Sequence, residues 1–309
     1  MAESTAISWA EATFNPWIGC TKVSEACRSC YAERETFVRV QREKGRELWG
    51  PTAERHRTSA ANWQAVRSWN KKALAAGRRV RVFCASLADV FEDRWDLDPW
   101  RLDLWCLIEE CGALDFLLLT KRPEKIWGQL PDEWRQLGLP NNIWLGTTAE
   151  NQETFNRRVP ELLQVPAIVH WLSAEPLLGP ISLDYNVGTI TMISGNKLRW
   201  VIVGGESGPD ARPIHPAWVR SIRDECIAAG TAFHFKLWGE FAPTGPLRAD
   251  QWVVSWDGRV IPNMLANLSI ADHERKLDQP TVVYQVGKKA AGRILDGRTW
   301  DQVPEGMPF

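Results

Sequence analysis

The sequence has no run of roughly 18 consecutive apolar residues, the length a membrane helix needs, so a transmembrane span is not expected. Its first residues, MAESTAISWAEATF, lack a basic stretch followed by an apolar one, so no secretory signal is read there and a cytoplasmic location is the expectation. No GxSxG, HExxH or Walker motif is present, which leaves the usual hydrolase and phosphate-loop chemistries without support. Low-complexity tracts and exact repeats are also missing. There is one CxxC pair and no second, so the four-cysteine spacing of many zinc sites is lacking.

What is present is a chain of 309 residues, 44% hydrophobic and 24% charged, enough to bury a sizeable core. The net charge of −1 is unevenly spread. Residues 39–81 carry twelve Lys/Arg against three Asp/Glu, a local balance of +9 that leaves −10 for the remainder. Such a block is either a nucleic-acid footprint or the solvated face of helices. Trp63 and Trp69 lie within it and are candidates for stacking on bases.

Six short apolar runs recur: 80–86, 115–121, 142–148, 167–173, 200–206 and 231–237. Their β-branched and aromatic content and unbroken apolar character predict strands buried on both faces. Helical patterns lie between several of them, at 99–112 and 216–230 for example. The alternation predicts an α/β fold with a parallel sheet, a partial or complete (β/α) barrel over 1–240, with an irregular extension over 241–309 packed on it. An open doubly wound sheet is the alternative. A barrel collects its functional groups at the C-terminal strand ends. Here these are Ser86, Asp89, Lys121, Thr147, Glu150, Ser173, Glu175, Gly204, Gly205, Glu206 and Lys236. Glu175 has Lys236 or Arg212 as ion-pair partners to choose from, and His215, on a loop, is a proton-transfer candidate.

Seven cysteines are present, and three crowd together as Cys20-x6-Cys27-x2-Cys30. The other four, Cys84, Cys106, Cys111 and Cys226, read as buried thiols. Three thiolates on one loop can hold three corners of a cubane iron–sulfur cluster and leave one iron open. The competing reading is zinc, with a fourth ligand such as His56 or Glu33, in a zinc-stapled nucleic-acid-binding protein without catalysis.

The stretch NPWIGCTKVSEACRSCYAE, with VGGESG and the tail GRILDGRTWDQVP, resembles the phage-associated three-cysteine-motif family, which is similar to radical S-adenosylmethionine enzymes. The resemblance implies a TIM-barrel-like fold with a strand just before Cys20, a 4Fe-4S cluster on Cys20, Cys27 and Cys30, and S-adenosylmethionine at the open iron. It also implies an electron donor such as a flavodoxin or ferredoxin. Six residues separate the first two cysteines where the commonest radical motif has three, and Tyr31 follows Cys30 where an aromatic usually precedes the last cysteine. Gly204-Gly205-Glu206 comes later than the GGE-like segment of that superfamily, leaving Ser86 or Asp89 for the early-strand role. The cofactor would meet Tyr31, Ser86, Asp89, Lys121, Thr147, Glu150, Ser173, Gly204, Gly205 and Glu206; Lys236, His215 and Glu175 are the catalytic candidates.

Overall fold

The computed structural model describes residues 3–36, 45–183, 197–246, 250–262 and 280–304. In chain order its first elements are β1 (Ala12–Thr13), β2 (Trp17–Ile18), α1 (Tyr31–Thr36), β3 (His56–Arg57), α2 (Ala60–Ala75), β4 (Val80–Cys84), α3 (Asp98–Glu110) and β5 (Leu114–Thr120). There follow α4 (Ile126–Gln129), α5 (Asp132–Leu137), β6 (Ile143–Thr148), α6 (Gln152–Gln164), β7 (Val169–Ala174), β8 (Leu198–Gly204), α7 (Pro216–Ala229) and β9 (Ala232–Leu237).

Seven strands form one sheet in the order β1-β4-β5-β6-β7-β8-β9, every pair parallel, curled into a half-barrel. The apolar runs become strands because both faces are covered. Alternate residues point to opposite sides. Val82, Leu118, Leu145, Leu172, Val201 and Phe233 pack outward with helix residues such as Val66, Leu104, Val159 and Ile222. Phe83, Leu117, Trp144, Trp171 and Trp200 line the concave face. There Trp9, from the segment before β1, inserts with its ring 4.6 Å from Phe83 and 5.3 Å from Trp171. Gly146 is required at this level: a Cβ on it would lie 2.2 Å from the Trp171 ring.

Three expectations are corrected. The first strand of the sheet is β1; Trp17–Ile18, nearer Cys20, pairs instead with β3 in a separate ladder. The extension is not irregular: β10 (Phe241–Ala242), β11 (Asp250–Val254), β12 (Val260–Pro262) and β13 (Thr281–Gln285) form an antiparallel sheet ordered β10-β13-β11-β12. Its Phe241, Val254 and Val283 join the same core as the outer layer of the half-barrel. The tail then runs antiparallel along β9, where Phe235 N–H donates to Trp300 O and Gln302 N–H to Phe233 O. A parallel sheet left open would expose this edge, and the tail covers it. Third, Cys84, Cys111 and Cys226 are buried as expected, but Cys106 is exposed on α3.

Candidate active site: a three-cysteine cleft

The cysteine loop leaves the sheet after β1 and turns at Gly19. Its φ of 113° and the 2.3 Å that a Cβ would leave to Leu48 O both demand glycine. Cys20 comes next, and its carbonyl accepts from Gly50 N–H at 3.0 Å. Cys27 ends a 3-10 turn (Glu25–Cys27), and Cys30 immediately precedes α1. All three thiols are free, partly buried and line one cleft, of about 130 Å³, at the C-terminal ends of β4, β5 and β6. Tyr31, Ser86, Asp89, Lys121, Arg122 and Thr148 also line it.

Four braces fix the loop. Arg55, its side chain fully buried, grips Glu92 with Nε–Oε2 and Nη2–Oε1 at 2.8 and 2.7 Å. Its remaining N–H groups donate to Leu48 O, Ala53 O, Gly50 O and the Thr21 hydroxyl. Arg122 donates to Asp89 at 2.7 Å, to Thr21 O at 2.7 Å and toward Cys20 Sγ at 3.8 Å. Glu150, close enough to Ser24 to sense its hydroxyl, accepts from Arg158 at 2.8 Å. Arg212, held bidentately by Glu206, donates to Glu25 O at 3.0 Å. The loop is thus tied both to the first strands and to the turn after β8. The geometry of the thiols is set before any ligand arrives.

The thiols differ electrostatically. Burial and the nearby Asp89 and Glu92 carboxylates push Cys20 up to about 12, against the pull of Arg122. Burial also acts to raise Cys27, but Lys121, the Val23 and Ser24 amides and the Ser24 hydroxyl outweigh it and lower it from 9.0. Metal binding would displace the proton in either case. Among the described residues, no three His, Cys, Asp or Glu gather around a single metal-ion position. Thiolates of a cubane each bind a separate iron and need no such convergence.

The structure sorts the remaining candidates. Tyr31, Ser86, Asp89 and Lys121 share the cleft with the cysteines. The Tyr31 hydroxyl donates to Ser86 O at 2.9 Å, and the Ser86 hydroxyl meets the Asn15 side chain at 3.1 Å. Asp89 accepts from the Thr120 hydroxyl, two backbone amides and Arg122, so its oxygens are already engaged. Thr147 does not face the cleft; its hydroxyl donates to Thr120 O. The cleft residue is its neighbour Thr148, 1% exposed, whose hydroxyl has no partner among the described residues. Ser173 pairs with Thr148 across β6 and β7 but lies outside the cleft lining. Glu175 pairs with Lys236 at 2.7 Å, not with Arg212. The two glycines offer no ligand cradle. Their open sides are filled by the Glu175 carboxylate and by Trp238 O, which a Cβ would approach to 2.8 and 1.9 Å. Glu206 is taken by Arg212, and Glu150 by Arg158. His215, 4% exposed, caps α7, its Nδ1 accepting from Ala217 N–H at 3.1 Å. Pro216 in the first helical turn was the sequence signal for that cap.

The basic segment also reads differently. Arg39, Arg42 and Lys44 lie outside the described residues. Arg55, Arg57, Arg67, Lys72, Arg78, Arg79 and Arg81 pair with Glu92, Asp103, Glu110, Glu3, Glu11, Asp115 and Glu11. The acidic excess elsewhere in the chain therefore neutralises much of the local +9. Trp63 and Trp69 are 6% and 5% exposed core residues, unavailable for stacking on bases.

Glu150 gives a pH dependence. Burial works to raise its pKa, but Ser24, Arg158 and Lys121 bring it below the ordinary 4.5. A carboxylate lowered on folding adds stability above its unfolded value and loses it as pH falls through the folded one. Glu150→Gln, which leaves Arg158 buried without its counter-charge, is expected to cost about 3 kcal/mol near pH 7. The gap to wild type in denaturant midpoint should shrink from pH 5 downward; a gap constant to pH 3 would contradict the assignment.

Among curated proteins none matches the sequence. Two solved structures are similar. A spore photoproduct lyase complexed with dinucleoside spore photoproduct is 14% identical with a TM-score of 0.40, covering 72% of this chain and 62% of that one. The chain thus spans less than two thirds of that protein's length. A cysteine-to-serine mutant of spore photoproduct lyase is 14% identical with a TM-score of 0.41, covering 88% and 74%. Residues 4–304 match the family described as "Protein of unknown function (DUF5131)", and the chain belongs to that family.

Proposed function

We propose that the chain is a radical S-adenosylmethionine enzyme whose 4Fe-4S cluster is held by Cys20, Cys27 and Cys30. The observation that carries the reading is the shared cleft: three free thiols open onto one space at the C-terminal mouth of a parallel half-barrel. The donor set would fit a cluster with one open iron, since three thiols are offered to one cleft and no fourth cysteine lines it. When bound, the cluster supplies the electron that cleaves the sulfonium bond of S-adenosylmethionine.

The chain's own residues bind, orient and exclude water. Lys121 places a cation beside Cys27 and offers it to a carboxylate of the cofactor. The Thr148 hydroxyl, buried and unpartnered among the described residues, gains a hydrogen bond when a polar ligand group reaches it, relieving a desolvation cost of about 1–3 kcal/mol. Tyr31 and Ser86 also line the cleft. Glu175 and Lys236 lie further along the sheet and are the pair proposed to move a proton on the substrate. Nucleic acid or nucleotide is the proposed substrate class. With the described cations of residues 39–81 largely paired, that choice rests on the resemblance and its phage association more than on the segment's charge. A flavodoxin or ferredoxin is the proposed electron donor, and a cytoplasmic setting would suit it; no helix among the described residues is long and apolar enough to cross a membrane.

The zinc-stapled alternative gains no supporting observation. His56 lies 3.3 Å from Arg46 and Glu33 pairs with Lys22 at 2.7 Å, and among the described residues no three His, Cys, Asp or Glu gather at one metal-ion position. Anaerobic reconstitution with iron and sulfide tests the choice: a brown protein with iron and sulfide in equal amounts is expected. A colourless protein holding one zinc would overturn the proposal.

A further inference from the structure

We infer that Arg122 is a positioning residue that sets the reduction potential of the cluster through Cys20, with Asp89 as its opposing control; the inference rests on the proposed cluster. Lys121 and Arg122 are consecutive cations just after β5, and the structure separates their work. Lys121 lines the cleft on the Cys27 side, whereas Arg122, 8% exposed, turns to Cys20. Its Nη1 points at Cys20 Sγ from 3.8 Å and at Asp89 Oδ2 from 2.7 Å, while Nη2 donates to Thr21 O. The guanidinium cannot swing away. Asp89 is itself pinned by the Thr120 hydroxyl at 2.8 Å and Phe91 N–H at 3.0 Å, and Arg122 N–H bonds the same Thr120 hydroxyl at 2.9 Å. Glu92 stands 3.9 Å from Nη2.

Reduction adds one electron to a cluster whose charge spreads onto its cysteine sulfurs. A rigid N–H donor and positive charge beside one of those sulfurs stabilise the reduced state more than the oxidised one, and so raise the potential. Asp89 offsets that charge from the other side. Removing Arg122 and removing the Asp89 charge must therefore act in opposite directions. A purely structural role for the pair would not do this, since loosening the loop from either side would disturb the cluster alike.

The experiment uses the full chain, anaerobically reconstituted without S-adenosylmethionine: wild type, Arg122→Gln, Arg122→Lys and Asp89→Asn. Iron and sulfide are quantified first, then midpoint potentials are measured by paramagnetic resonance after equilibration with redox mediators. Losing one hydrogen bond to a charged group predicts an equilibrium constant for reduction about tenfold smaller in Arg122→Gln, about 59 mV for a one-electron couple. Arg122→Lys, which keeps the charge, should stay closer to wild type than Arg122→Gln, and Asp89→Asn should shift upward. Midpoint shifts that amount to less than a twofold change in the equilibrium constant for reduction in every variant, or shifts of one sign in Arg122→Gln and Asp89→Asn, overturn the inference. If Arg122→Gln takes up no cluster, Asp89→Asn decides: an unchanged or lowered potential overturns it. A wild-type chain that takes up no cluster overturns the proposed function and this inference with it. Unchanged potentials in loaded proteins overturn the inference alone.

Discussion

Glu92→Gln is expected to destabilise the folded chain by about 3–5 kcal/mol, a large part of the stability of an ordinary domain. The Arg55 side chain is fully buried and Glu92 is 3% exposed, so the substitution leaves a guanidinium in the interior without its carboxylate. Five N–H donors of Arg55 are in use, and the acceptors include the carbonyls of Leu48, Gly50 and Ala53. The damage should therefore extend to the 48–55 segment that backs Cys20. Arg122, 3.9 Å from Glu92, would lose part of its balance as well. The double variant Arg55→Met/Glu92→Leu removes both charges at once, which lifts the penalty of an unpaired buried ion, but it also takes the donor from the Leu48, Gly50 and Ala53 carbonyls, so it should recover only part of the loss. Denaturant unfolding measures both. If Glu92→Gln costs less than about 1 kcal/mol, the typical range for exposed pairs, the pair is not the brace described.

Cys27→Ala is expected to abolish cluster assembly while leaving the fold intact. Cys27 sits on a partly exposed turn and contributes little to the core, so its loss should change stability by no more than about 0.5 kcal/mol. Its thiol is the one that Lys121 and the Ser24 hydroxyl favour as thiolate, so it is the ligand best prepared to accept iron. Iron and sulfide per chain after anaerobic reconstitution should fall to background, with the circular dichroism of the apo-protein unchanged. Retention of a full complement of iron would remove Cys27 from the ligand set.

Much of the fold was legible because a parallel sheet covered on both faces writes each strand as a continuous apolar run. Six of the seven strands of the sheet coincide with such runs, and the seventh, β1, is only two residues long and leaves no such mark. The polar strand ends were legible too, but not which of two adjacent residues turns inward. The choice between Thr147 and Thr148 is a matter of strand parity, which a polar cluster at a strand end does not fix. The braces were the least visible part. Arg55 and Glu92 are separated by 37 positions, and only the folded chain shows that they meet. Arg158 did leave a signal. It lies on the buried side of α6 with Phe155, Val159 and Leu162, where a charge must find a partner. The charge block at 39–81 was legible as a count but not in its pairing: counting charge along one segment ignores the carboxylates that the fold brings from elsewhere.

The measurement that bears most directly on the central claim is the formation of 5′-deoxyadenosine. Wild-type protein, reconstituted and reduced without oxygen, is incubated with S-adenosylmethionine, with the Cys27→Ala protein alongside. The account predicts 5′-deoxyadenosine from the wild type and none above background from the variant. Equal amounts from both, or none from a cluster-loaded wild type supplied with candidate nucleotide substrates, would contradict it.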